Sequence, residues 1–399
     1  MFKGALDGVK VIDLSRVVSG PHCTMILGDF GADVIKVEKR GDGDIGRHYA
    51  PYYENEATYF MAHNRNKRSI SLNFRHPKSK DILYNLLKDA DVLVENFKAG
   101  TLEEMGLDPK ELLEMNPRLI ITRISGFGQD GPYSNRTCFD AVAQAMSGLM
   151  AITGDPDPVG HPTMVGSYIV DFVSGIYGAV GTLAALQARQ RTGKGQVVDI
   201  AMLDTACSLT HSAIINYFLL HQIAQRNGNQ DRAAWPANFY PTVDGTLVYI
   251  HAGLDPSFAR MCKILSKEEL LESPEYSTLA GRTNHIDECD RMIAAWTRQH
   301  DWQEVIRICE EAALPCAKVN TIEDMVHDEQ LIYRKMIRKV QDNRFGEMTI
   351  NGPVVKMSDT NPDVFCTAPR LGEHNHDVFT NILGYAEAEI RQLERDGVI

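Results

Sequence analysis

The 399-residue chain lacks both a basic opening segment with an apolar core behind it and an unbroken apolar run of about 18 residues. Those two absences predict a cytoplasmic protein with no membrane partner. Its eight cysteines, at positions 23, 138, 207, 262, 289, 309, 316 and 366, include no C-x-x-C pair and no metal-ligand spacing. Zinc and a disulfide framework are therefore not indicated, and the thiols read as reduced core residues. No G-x-G-x-x-G follows the first strand-like run, so nicotinamide or flavin binding is unsupported. Positive charge is also short: the formal net charge is −12, which argues against nucleic acid or an anionic membrane as partner. There is no internal repeat and no low-complexity tract.

What is present is an ordinary globular composition, 44% hydrophobic and 24% charged, in a chain long enough for two or more domains. The apolar run VKVIDLS, the stretch HCTMILGDFGA and the strand DVIKVE at 33–38 read as one βαβ unit. Pro21 suits the first helical position and Gly31 the stop. Further strand-like runs follow at 69–74, 91–97 and 119–128, with a helix near SKDILYNLLKDA. This alternation predicts an α/β fold with a parallel sheet covered on both faces, and ligands beyond the carboxyl ends of its strands. A long helix is expected at 203–226, a polar linker after it, then a smaller α+β segment with a strand pair around Asp244-Gly245. The expected divisions are 1–224 for a first domain, 225–325 for a small one, and 326–399 returning to the first.

Residues 162–200 draw these elements together. Asp171 sits where a Gly/Pro-rich loop enters an apolar helix whose Gly175, Gly178 and Gly181 make one smooth face. Each glycine costs a helix interior up to about 1 kcal/mol relative to alanine, so the series implies close approach by backbone or ligand. Asp171 has two readings. It is a helix N-cap, or it is a carboxylate nucleophile kept ionised at neutral pH by the positive end of the helix. A local basic stretch favours an anionic ligand: between Lys36 and Lys80 there are ten Lys or Arg against five acids.

Seven stretches in order carry a resemblance over essentially the whole chain. They are LDGVKVIDLS with GP and GADVIKVE, NKRSISL at 66–72, VENF at 94–97, ISGFGQDGP at 124–132, D-x-x-x-G at 171–175, RTGKGQVVDIAMLD at 191–204, and LGEH at 371–374. Together they are similar to the class III CoA-transferase family, which includes carnitine, formyl and bile-acid CoA-transferases and the α-methylacyl-CoA racemases. The resemblance implies a Rossmann-like large domain built from both chain ends, a smaller inserted domain, and an interlocked, ring-like homodimer. It implies acyl-CoA and a carboxylic acid as substrates, with no metal and no permanently bound cofactor.

By position Asp171 matches the family's catalytic aspartate, which attacks the acyl-CoA thioester. CoA contacts carried over are Val17, Lys39, Arg40, Leu72, Phe74, Arg75, Asn96, Phe97 and Met105, with Asp140 as a supporting acid. Cations at 39, 40 and 75 suit phosphates; apolar groups at 72, 74 and 97 suit adenine or the pantetheine arm. Departures occur at Glu104, where formyl-CoA transferases carry a cation, and at Thr137, where they carry a lysine. Two alternatives stay open: a racemase on the same fold and a CoA-binding protein without activity. Phe139 stands where the racemases place a histidine before Asp140, which favours transfer.

Overall fold

The computed structural model describes residues 4–399. Its large unit is organised by six strands, β1 (Lys10–Asp13), β2 (Asp33–Lys39), β3 (Lys67–Leu72), β4 (Val92–Glu95), β5 (Ile120–Ser125) and β6 (Val197–Ala201). All pair in parallel, in the order β3-β2-β1-β4-β5-β6. Strands buried on both faces need continuous apolar sequence, and every residue of β4 and β5 is buried. Ile12 lies opposite Ile35 on one side and Leu93 on the other, which fixes the register.

One face packs with Leu83 and Leu86 of α2 (Pro77–Lys88) and the C-terminal residues Phe379, Ile390 and Leu393 in a single apolar cluster. Residues 375–395 therefore return to the unit in which the chain began. The other face buries Cys23 and Leu27 of α1 (Ser19–Asp29) with Ala179 and Leu186 of α4 (Ile169–Thr192). Helix α1 starts at Ser19, so Pro21 falls at its third position. Proline is accepted there because first-turn amides have no partner inside the helix.

By length and composition α4 is apolar enough to cross a membrane. Here it lies along α1 and the sheet. The glycine face is the reason it fits: a Cβ on Gly175 would stand 2.7 Å from the Ser19 carbonyl oxygen, and one on Gly178 2.8 Å from Ile124. The close approach implied by these glycines is thus met by protein.

The large unit runs to Leu149 and takes in Val165–Ser212 and Glu329–Ile399; the second unit comprises Met150–Met164 and Ala213–Asp328. Boundaries drawn at 225 and 325 differ from this at both ends. The expected helix 203–226 is instead two short ones, α5 (Met202–Ser208) and α6 (Ala213–Leu220). His211 between them has φ +54°, left-handed backbone that no continuous right-handed helix contains. The second unit holds a three-stranded antiparallel sheet, Ala237–Pro241, Leu247–His251 and Cys316–Lys318, with its own core around Tyr240, Ile250, Met261 and Ile293. Of the eight cysteines, Cys23, Cys262, Cys289 and Cys309 are buried, whereas Cys207 and Cys366 are exposed and not core.

Candidate active site

The sheet reverses direction of growth between β1 and β4, and a crevice opens where their following loops part. Asn96, after β4, clamps the loop after β1: its Oδ1 accepts from the Arg16 amide at 2.7 Å and its Nδ2 donates to the Arg16 carbonyl at 2.7 Å. Val17 next to it has φ +69°, a strained conformation for a β-branched residue, of order 1–3 kcal/mol. Asp44 helps hold it by accepting from the Val17 amide at 3.1 Å.

Beneath this loop lies a buried charge network. Lys36 pairs with Asp44 at 2.9 Å and donates to the Ser15 carbonyl at 2.8 Å, while Lys67 pairs with Asp13 at 3.1 Å. Burial works against the Asp13 carboxylate, but Lys67 and Lys36 outweigh it and hold its pKa at about 2. These two of the five lysines in the expected basic patch are therefore structural. So are Arg47, Arg65 and Arg68, which pair with Glu38, Asp29 and Asp33.

Two adjoining cavities occupy the crevice. One, of about 440 Å3, is lined by Lys39, His48, Phe74, Thr101 and Met105 among others; the second, of about 270 Å3, by Val17, Ser19, Tyr49, Asn96 and Asp171. Arg16, Ile45 and Phe97 line both, so the two adjoin at these side chains. The Arg16 guanidinium lies 5.0 Å over the Phe97 ring.

Asp171 is buried in the first turn of α4, but it is not the cap. The N-cap residue is Tyr168, and it makes no capping bond with its side chain. Asp140 supplies the cap from α3 (Asp140–Met146): its Oδ2 accepts from the amides of Val170 at 2.8 Å and Asp171 at 3.0 Å. Its Oδ1 takes the Gln144 amide, and Gln144 Oε1 in turn accepts from the Val165 amide at 3.0 Å. The positive helix end is thus spent on Asp140. Burial, then the Asp140 charge, push the Asp171 carboxyl up to about 7, against a hydrogen bond from Ser19. The expectation that the helix end keeps Asp171 ionised at neutral pH is corrected accordingly.

Phe172, next to Asp171 in the chain, belongs to a cluster of rings. His22 meets Phe172 edge-on at 4.8 Å, His63 lies 5.4 Å from Phe172, and Tyr59 lies 5.7 Å from His63. Burial holds the His22 imidazole down to about 4 and that of His63 to about 3, so both are neutral over the working pH range.

Of the residues expected to hold CoA, Val17, Lys39, Phe74, Asn96, Phe97 and Met105 come together at these cavities. Arg40, Leu72 and Arg75 line neither. Leu72 is fully buried in the sheet core, Arg40 donates to the Ile399 main-chain oxygen at 2.7 Å, and Arg75 is exposed. Lys39 is paired with Asp42. The cations that the sequence reading missed are Arg16, Lys98 and Arg136, all lining the Asp171 cavity. Their signal was position: Arg16 and Lys98 stand in loops that directly follow strands.

The pattern for CoA-transferase family III matches residues 6–375. Succinyl-CoA–D-citramalate CoA-transferase of Chloroflexus aurantiacus is 38% identical over 395 residues, covering 99% of this chain and 98% of that protein. Human succinyl-CoA:glutarate CoA-transferase is 33% identical over 395 residues, covering 99% of this chain and 90% of that one. Among solved structures, a CaiB/BaiF family protein from Brucella suis superposes with a TM-score of 0.84 at 32% identity, covering 95% of this chain and all of that chain (100%). Matched along nearly its whole length by both the family pattern and these relatives, the chain belongs to CoA-transferase family III.

Proposed function

We propose that the protein moves CoA from an acyl-CoA donor to a carboxylic acid through covalent intermediates on Asp171. The observation that carries this reading is a buried carboxylate lining a cavity in the crevice between β1 and β4, beside a second cavity lined by Lys39, Phe74 and Met105. An Asp171 oxygen attacks the thioester carbonyl, the C–S bond breaks, and CoA thiolate leaves behind a mixed anhydride. The thiolate attacks the aspartyl carbonyl and expels the donor acid, giving an aspartyl-CoA thioester. The acceptor carboxylate attacks that thioester, releasing thiolate and forming a second anhydride. Thiolate then takes the new acyl group and returns Asp171 to its carboxylate. No step consumes a proton or water, and the burial of Asp171 suits the chemistry by limiting water at the anhydride.

Several relatives named for succinyl-CoA act with D-citramalate, glutarate or mesaconate, and those names support a dicarboxylic donor and acceptor here. The racemase alternative has less to work with. Position 139 is an exposed phenylalanine, and no histidine is among the described residues that line the Asp171 cavity. As in the resemblance, the working form is proposed to be a homodimer.

The test is mass spectrometry of the protein after incubation with succinyl-CoA. CoA attached to the peptide containing Asp171, converted by hydroxylamine to a hydroxamate, is the expected result. CoA transfer that continues at near wild-type rate in Asp171→Asn would overturn the mechanism.

A further inference from the structure

Most arginines of the large unit's interior are already paired: Arg47, Arg65, Arg123 and Arg189 each meet a carboxylate within 2.8 Å. The Asp171 cavity is different. Arg16, Lys98 and Arg136 line it, and among the described residues none of the three has an ion-pair partner. All three are exposed in the single chain, and, gathered on one small cavity in a chain of net charge −12, they offer a place for an anion that arrives with the ligand.

The three differ in what they face. Arg16 borders both cavities and stacks on Phe97, a place on the path of the CoA arm. Arg136 lines only the cavity that holds Asp171. Its guanidinium lies 3.9 Å over the Tyr133 ring, which is itself braced edge-on by Phe127 at 5.8 Å. Stacking fixes the plane of the fork and leaves its N–H edge free, the arrangement that receives a carboxylate through two parallel bonds. Arg136 and Asp171 line the same cavity, Arg136 in the segment before α3 and Asp171 in the first turn of α4.

We propose that Arg136, braced by Tyr133 and aided by Lys98, forms a carboxylate subsite that holds the distal carboxylate of a dicarboxylic acyl group while its thioester end meets Asp171. This rests on the transfer reading above and adds to it the residue that selects diacids. Arg136 is exposed in the single chain, and a monocarboxylic acyl group would leave its guanidinium to solvent, whereas a diacid would pair with it, which is the basis for discrimination.

The experiment compares succinyl-CoA with butyryl-CoA, which differ by a carboxylate in place of a methyl group, as donors to the full-length wild type, Arg136→Ala and Arg136→Lys. In a double-displacement scheme kcat/KM for the donor reports the donor half-reaction alone, whichever acceptor is used. Wild type is expected to favour succinyl-CoA, and Arg136→Ala to lower the succinyl/butyryl ratio by about 10- to 100-fold. Arg136→Lys should recover part of the ratio, keeping charge without the fork. A variant that loses both donors equally would assign Arg136 to CoA itself and overturn the subsite. So would a wild type with no preference, and either result leaves CoA transfer through Asp171 standing. Absence of transfer from both donors in wild type removes the transfer reading and the subsite together.

Discussion

At the scale of single residues, Asp171 couples activity to stability through its proton. Its carboxyl is raised from the ordinary 3.8 to about 7 in the folded protein, so the folded state holds a proton that the unfolded chain gives up near pH 4. The stability this contributes is complete below about pH 4 and is lost as pH rises toward 7. Asp171→Asn has no such term. It should therefore be more stable than wild type at pH 8, by at most about 4 kcal/mol, with the gap closing toward pH 4 in denaturant melts. Catalysis runs the other way, because the nucleophile must be anionic: donor kcat/KM should rise with pH through an inflection near 7. A flat profile from pH 5 to 9 would show that Asp171 ionisation does not limit the reaction. Leu72 is the contrasting case. Packed in the sheet core, Leu72→Ala should cost about 2–5 kcal/mol of stability in the same melts, with CoA affinity of the folded fraction unchanged. Weaker CoA binding at full stability would return Leu72 to the site.

At the scale of elements, the active carboxylate is delivered by two helices. Helix α4 carries Asp171, and α3 supplies Asp140, which closes the open amides of α4. One substitution separates the electrostatic part of this arrangement from the mechanical part. Asp140→Asn keeps an oxygen for the amides and removes the charge, so the inflection in the kcat/KM profile should move to lower pH. Asp140→Ala loses the cap too and should destabilise by about 1–2 kcal/mol. An inflection unmoved in Asp140→Asn would mean that the Asp140 charge does not act on Asp171. The βαβ opening was legible as alternating apolar runs because each strand is buried on both faces. The cap was not, since it joins residues 31 apart in sequence through a loop with no period.

At the scale of the molecule, α6 (Ala213–Leu220) has no buried residue, and its Ile215, Phe218 and Leu219 are 61%, 72% and 74% exposed. So apolar a helix, left bare in one chain, is what the proposed homodimer would cover. Sedimentation at micromolar concentration should give a dimer, and a compact stable monomer would remove the interlocked architecture from this protein. The sequence by itself determined the strand and helix alternation, the parallel sheet, the family and the aspartate on which the chemistry is proposed to turn, because these are written in local periodicity and in short ordered motifs. Tertiary structure alone decided which charges are available. Seen along the chain, Lys36, Arg65 and Lys67 form a basic run; in the fold they are buried against Asp44, Asp29 and Asp13. Arg16, Lys98 and Arg136, scattered in the chain, converge on one cavity. Charge pairing is decided by through-space distance, and no spacing along the sequence encodes it.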